Sequence, residues 1–360
     1  MIFLSVKFRL SRSPKVLPQH ARLNGLALLF TRASPAPLRF APRGVCKASS
    51  RLGSGHSSTQ EKAMTKSKFN VHTEITNQII ARLEEDLPRG RNPWISPALK
   101  AAINIASKKT YQGINWLSLL VTADKRGYSD NTWGTFIQWQ ALRARVKKGE
   151  HASPVVFFSK LKPAEAENVE DDQRRIGLLK TFWCFKISQI EGYENPDAEL
   201  PLPALFERLE RAEAVFAATK ADIRYGGTKA FYDPINDYIQ LPLAQDFVDT
   251  EMMTARENFY AVSAHELSHW TGHKSRLNRG LDVLSGQQDR IVEEVIAEMS
   301  AAIICVELGI TPIVKDKHAQ YIQGYLKLIK ADNRLVFKCA TAASRAAQYI
   351  LGDAKEADSP

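Results

Sequence analysis

The sequence predicts an α+β protein of two domains, and three observations carry that prediction. Once a basic leader is set aside, about 300 residues remain, enough for two cores of ordinary size. Charge then divides this body: residues 64 to 160 hold 15 Lys and Arg against 7 Asp and Glu, a net +8, whereas residues 161 to 360 hold 23 against 31, a net −8. Strand-like patterning (178–187, 229–242) and helical period (254–270, 293–308) both occur, and Pro196, Pro201 and Pro203 cluster at a natural boundary. The domains are therefore expected at 64–195 and 204–355.

Residues 1–63 lack the marks of a domain. They hold 11 Lys and Arg against the single acid Glu61, a net +10 that equals the charge of the whole chain, so the pI near 9.3 describes the leader more than the body. Their longest apolar run, Leu26 to Phe30, is too short to span a bilayer, and no membrane partner is expected. The composition suits a disordered leader of transit-peptide type or a start placed upstream of the true one, and Met64-Thr65-Lys66-Ser67-Lys68 reads as a natural N-terminus. Either reading removes the segment from the fold.

In the basic half, Lys108 to Trp116 and Trp133 to Gly149 interleave cations with aromatics, and four of the six tryptophans (Trp94, Trp116, Trp133, Trp139) fall there. Cations attract a phosphate backbone and aromatic faces stack on unpaired bases. Lys108, Lys109, Tyr111, Trp116, Arg143, Lys147 and Lys148 are thus candidates for binding single-stranded DNA. The same composition describes a buried aromatic core beneath a solvated basic face, and composition does not choose between the two. Further on, the acidic stretch Pro163 to Asp172 reads as an exposed loop and Leu178 to Ile187 as a strand returning from it.

Beyond the proline cluster, Lys229 to Tyr232, a turn at Asp233-Pro234-Ile235-Asn236, and Asp237 to Pro242 read as a β-hairpin. Its edge either adds an extended peptide as a strand or simply closes the domain. A helix follows, free of Gly and Pro from Thr254 to Trp270, with Thr254 and Glu257 as its capping box and Gly272 as its stop. Inside it lies His265-Glu266-Leu267-Ser268-His269. Residues four apart share a helical face, so both imidazoles can reach one metal ion while Glu266, about 100° round the helix, stands beside them as a general base. This is the arrangement of a zinc hydrolase.

Two histidines leave a metal short of ligands. A second helical pattern, Glu293 to Leu308 ended by Gly309, carries Glu294 and Glu298 four apart beside an apolar stripe of Val295, Met299, Ala302 and Val306. Spacing alone does not decide which acid is the third ligand. The tail from Tyr321 to Ile329 and from Ala340 to Leu351 reads as two helices packed on this core. The four cysteines form no metal-type pair and suit a reducing cytosol.

The run Glu293-Glu294-Val295-Ile296-Ala297-Glu298 resembles the second motif of the gluzincin metallopeptidases. That resemblance implies Zn2+, or another divalent metal, held by His265, His269 and Glu294, with Glu298 fixing the ring of His265 and Glu266 catalytic. A metzincin pattern fits less well: Gly272 matches, but Ser275 stands where a third histidine belongs, and His273 is wrongly spaced for a ligand. His273, Tyr321 and Tyr325 are candidates for stabilising an oxyanion.

Val71 to Glu84, Pro93-Trp94, Tyr111-Gln112-Gly113-Ile114-Asn115, Val146 to Glu150 and His265 to Gly272 together resemble the ArdC-type antirestriction proteins along nearly all of 64–355. The resemblance implies an N-terminal single-stranded-DNA-binding domain and a C-terminal zincin-like, gluzincin-type metallopeptidase domain. It also implies a bacterial cytoplasmic protein of plasmids and other mobile elements, protecting incoming DNA and meeting restriction-modification proteins. The alternative is a DNA-coating protein whose metal site is structural or vestigial and cleaves nothing.

Overall fold

In the computed structural model the described residues are 70–86, Pro88, Trp94, 101–128, Asp130, 132–159, 178–194, 204–250, 253–283, 286–311 and 318–352. The leader, the acidic loop 163–172 and the boundary 195–203 lie outside them. Helix α1 (Val71–Asp86) starts where the Asn70 side chain accepts hydrogen bonds from the amides of His72 (3.0 Å) and Thr73 (3.3 Å). It buries Val71, Ile75, Ile79 and Leu83, a stripe made by their four-residue spacing.

Next come β1 (Ile103–Asn104), α2 (Ile114–Lys125), β2 (Thr132–Thr135), α3 (Phe136–Ala141), β3 (Arg145–Val146), β4 (Ser153–Ser159), β5 (Leu178–Lys186) and β6 (Ile190–Glu191). The expected strand at 178–187 is β5, which pairs antiparallel with β4 on one side and β2 on the other in a sheet of order β1-β2-β5-β4. A second small ladder joins β3 to β6. At the outer edge of β4, the Asn115 side chain on α2 donates to the Val156 carbonyl and accepts from its amide, both at 2.7 Å. One amide side chain so stands in for a neighbouring strand.

The four tryptophans between residues 64 and 160 are buried, whereas Trp183 on β5 is 47 % exposed. Trp94 and Trp116 belong to the large core, Trp133 packs with Val155 and Cys184, and Trp139 lies with Ile105 and Ile190. This corrects the expectation that Trp116 and Tyr111 stack on bases. Trp116 is 3 % exposed, and Tyr111 is turned inward with its hydroxyl 3.5 Å from the Cys184 sulfur and accepting from Asn104 at 2.8 Å. A ring buried in apolar contact has no face to offer a nucleotide.

The acidic half comprises α4 (Leu205–Ala218), β7 (Asp222–Tyr225), β8 (Phe231–Asp233), β9 (Tyr238–Leu241), α5 (Ala255–Trp270), α6 (Gln287–Leu308), α7 (His318–Ala331) and α8 (Leu335–Leu351). The expected hairpin is β8–β9, with the Asp233 carboxylate accepting from the amides of Ile235 (2.9 Å) and Asn236 (3.1 Å) across its turn. β7 joins β9 in parallel, so β8 forms one edge of the three strands and β7 the other. Helix α6 starts at Gln287, ahead of the Glu293 expected from the sequence pattern, and ends at Gly309 in left-handed backbone (φ 69°).

One apolar core serves both halves. Ile75, Trp94 and Leu117 are continuous with Leu267, Ile304, Tyr325 and Ala343. Polar clasps accompany the packing: the Thr76 hydroxyl donates to the Asn333 carbonyl (2.9 Å), and the Gly113 amide donates to the Ser344 hydroxyl (2.7 Å). Among the described residues, no helix is long and apolar enough to cross a membrane.

Candidate metal centre

Helix α5 is set by its first turn. The Thr254 hydroxyl accepts from the Glu257 amide (3.2 Å) while the Glu257 carboxylate accepts from the Thr254 amide (3.0 Å), the capping box expected from sequence. From Ala261 onward every residue to Trp270 is buried, so the polar members need internal partners. Ser263 and Ser268 donate back to the carbonyls of Phe259 (2.8 Å) and Ala264 (2.7 Å). The histidines turn to α6.

His265 and His269 present their Nε2 atoms to each other at 3.2 Å. Glu294 faces the same point, one oxygen 3.7 Å from His265 Nε2 and the other 3.8 Å from His269 Nε2. Among the described residues these three form the only group whose donor atoms could hold a metal, all lying within 4.8 Å of one another. Two donors about 2.05 Å from a tetrahedral ion stand about 3.3 Å apart, so the imidazole pair is spaced for one cation. The residues brought together are those the sequence named.

The outward ring nitrogens face two further acids. His265 Nδ1 lies 3.6 Å from Glu298, and His269 Nδ1 makes a 3.0 Å hydrogen bond with Glu293. Glu293 and its partner Arg279 were not singled out from sequence. Arg279 donates to Glu293 through Nε (2.9 Å) and Nη2 (2.7 Å), to the Thr271 hydroxyl through Nη1 (2.8 Å) and to the Ser268 carbonyl through Nη2 (2.7 Å). Gly272 makes room for it: a Cβ there would lie 2.8 Å from Arg279 Nη2 and 2.7 Å from the Leu281 side chain.

Electrostatics favour a cation. Burial works against a charged His269, yet the hydrogen bond to Glu293 and the charges of Glu294, Glu293 and Glu266 outweigh it and push its pKa up to about 9. Burial raises the Glu293 carboxyl in turn, but the His269 and Arg279 hydrogen bonds carry it below the usual carboxylate value. A cluster this acidic calls for positive charge, and a divalent ion fits the donor set. Glu266, 1 % exposed, sits on the same turn as His265.

The other sequence candidates are dispersed. His273 lies in the turn after α5, with Nδ1 2.7 Å from the Ser275 hydroxyl, and is outside the donor cluster. Tyr325 is fully buried against Trp94, ring centroids 5.9 Å apart, and burial raises its phenol well above the ordinary value. Tyr321 falls within α7, but its side chain is outside the described residues. Lys108, Lys109, Arg143, Lys147 and Lys148 are all exposed, with the Lys147 ammonium donating to the Ser188 carbonyl (2.8 Å). Arg276 ties the end of α5 to the hairpin: it donates to the Trp270 carbonyl (2.6 Å), covers the Trp270 ring at 3.9 Å and pairs with Asp237.

Residues 69–185 match a model of the N-terminal domain of the anti-restriction factor ArdC, and residues 210–342 match a zincin-like metallopeptidase model. A Sinorhizobium fredii protein called y4eC is 35 % identical over 296 residues, spanning 80 % of this chain and 94 % of that one. Two Escherichia coli DNA primases, TraC, are 30 % identical, but the chain spans only 28 % and 20 % of their lengths. The Mn(II)-bound crystal structure of the antirestriction protein ArdC from plasmid R388 is 34 % identical with a TM-score of 0.63, covering 81 % of this chain and 100 % of that one. Its metal-free structure aligns equally well, at a TM-score of 0.63.

Proposed function

This chain belongs to the ArdC family of antirestriction proteins, and from that premise we propose that it is a divalent-metal peptidase held on single-stranded DNA. Its task is to shield the DNA of a plasmid or other mobile element entering a bacterial cytoplasm, where its protein substrates include restriction-modification enzymes. The observation that carries the reading is the convergence of His265, His269 and Glu294 on one point with Glu266 beside them. A metal-bound relative supports the presence of a cation, and zinc is the ion we assign.

When bound, a divalent ion supplies the Lewis acidity that activates water and polarises a peptide carbonyl. The chain's own residues do the rest. His265 and His269 turn their Nε2 atoms inward because Glu298 and Glu293 stand at the opposite nitrogens. Glu266 accepts the proton of the attacking water and returns it to the departing amine. The cations Lys108, Lys109, Arg143, Lys147 and Lys148 draw the single strand to the other half.

One observation favours a second reading, a DNA-coating protein with a structural metal. His265, Glu266, His269 and Glu294 are between 1 % and 5 % exposed, which suits a closed site as well as a reactive one. Glu266→Gln separates the two. The expected result is unchanged metal content and DNA affinity with antirestriction in conjugation abolished, and intact protection would establish the coating reading. Alanine at Glu294 is expected to strip the metal while alanine at Glu298 only weakens it; the reverse pattern would exchange their roles.

A further inference from the structure

We propose that the outer face of α3, with the loops on either side, is the surface on which single-stranded nucleic acid stacks; this rests on the single-strand reading above and assigns it a place. Trp94, Trp116, Trp133 and Trp139 are buried, so bases need another aromatic or apolar surface; β4 and β5 expose Phe157, Phe182 and Trp183, and α3 exposes a second set next to the candidate cations. Phe136 is 49 % exposed, Ile137 76 % and Leu142 43 %. Exposure on that scale, in three large apolar side chains within seven residues, is unusual for a surface with no partner.

The helix is firmly seated, so these side chains are held outward. Thr135 and Gln138 form a capping box, and Trp139, fully buried, donates its indole N–H to the Phe185 carbonyl at 3.1 Å. Gly134 lets the helix sit down on the sheet: a Cβ there would lie 2.5 Å from the Ile105 side chain and 2.9 Å from the Trp139 ring nitrogen. With its inner side fixed by Trp139, α3 turns Ile137, two residues earlier, to solvent by its period, while Phe136 at its first turn remains half exposed beside it.

Charge marks the occupant. Lys108 and Lys109 lie on a turn tied to α3 by paired hydrogen bonds between the side chains of Asn104 and Gln138, both 3.3 Å, and Arg143 follows directly on Leu142. Lys108 and Arg143 hold left-handed backbone, φ 58° and 60°, a conformation unfavourable for long side chains. An apolar face with a ring on it, flanked by cations on both sides, is complementary to a phosphate chain carrying unstacked bases. An apolar protein partner would not need the cations, and a duplex would not offer its bases to Phe136.

The test uses the full chain and fluorescein-labelled oligothymidylate, read by anisotropy at several salt concentrations. Phe136→Ala and Ile137→Ser are expected to weaken binding about 5- to 100-fold with the thermal midpoint unchanged, whereas Phe136→Tyr retains affinity. Lys109→Gln with Arg143→Gln is expected to flatten the slope of log affinity against log salt by about 0.7 for each phosphate no longer neutralised. If the parent binds the oligonucleotide and the α3 variants bind it equally, the assigned surface is wrong and the single-strand reading survives. If the parent does not bind, that reading falls as well. A dimer that dissociates in Phe136→Ala, with DNA affinity intact, would overturn the proposal in favour of a self-association face.

Discussion

Arg279 and Glu293 show what a single residue can do from outside a motif. Arg279 directs its donors to Glu293, Thr271 and Ser268, and Glu293 in turn holds His269, so the ring cannot rotate without breaking a chain of buried hydrogen bonds. We expect Arg279→Gln to weaken Mn(II) or Zn(II) binding about 10- to 100-fold, measured by competition with a chelator, and Arg279→Lys to restore only part, because an ammonium lacks the two-pronged fork. Unchanged affinity in the glutamine variant would show that Glu293 holds its place unaided. Glu294 and Glu298 were legible because they share a face, four residues apart. Glu293 lies about 100° away, on the face of Ile296, Ala297 and Ile304, where an acid has no evident partner in the sequence; its partner Arg279 comes from a loop that no spacing describes.

At the scale of elements, α5 was legible almost to the residue because its ends carry their own chemistry. Thr254 and Glu257 close the start, and Glu257 also accepts from the Thr311 hydroxyl at 2.9 Å, linking the helix to the segment after α6. Thr254→Ala is expected to cost about 1 kcal/mol, seen as a fall of about 2–4 °C in the thermal midpoint; no change would mean that this turn frays without consequence. By contrast the start of α6 was not legible, since Gly286 offers no side-chain cap and the charged first turn from Gln287 resembles a loop. The tryptophan-rich segments were left undecided between core and platform for a related reason. Whether a ring faces the core or the solvent depends on which side of its helix or strand meets the rest of the protein, and composition carries no such direction.

For the whole molecule, stability depends on a charge placed deep in the basic half. Lys186, fully buried on β5, holds its ammonium 4.5 Å over the Tyr128 ring and 3.8 Å from Asp130. Burial pulls its pKa down to about 8, against the opposing pull of Asp130, from an ordinary value of 10.5. Between those values the unfolded chain binds more protons than the folded one, so the contribution of Lys186 to stability rises with pH over that window. Lys186→Met is therefore expected to be more stable than the parent near pH 7.5, with the gap narrowing near pH 9.5, measured by urea unfolding. A gap independent of pH would assign the effect to packing alone. The two halves were expected to be separate domains joined at a proline-rich boundary. Their common core was not legible, because the residues that build it are ordinary apolar positions in helices far apart in sequence.

That common core also bears on inheritance. Cutting the chain between the halves would bare Ile75, Leu117 and Trp94 on one fragment and Tyr325 and Ala343 on the other, leaving each with an uncovered apolar face. In the TraC primases the matching stretch corresponds to 80 % and 79 % of this chain, so the two halves occur there together as well.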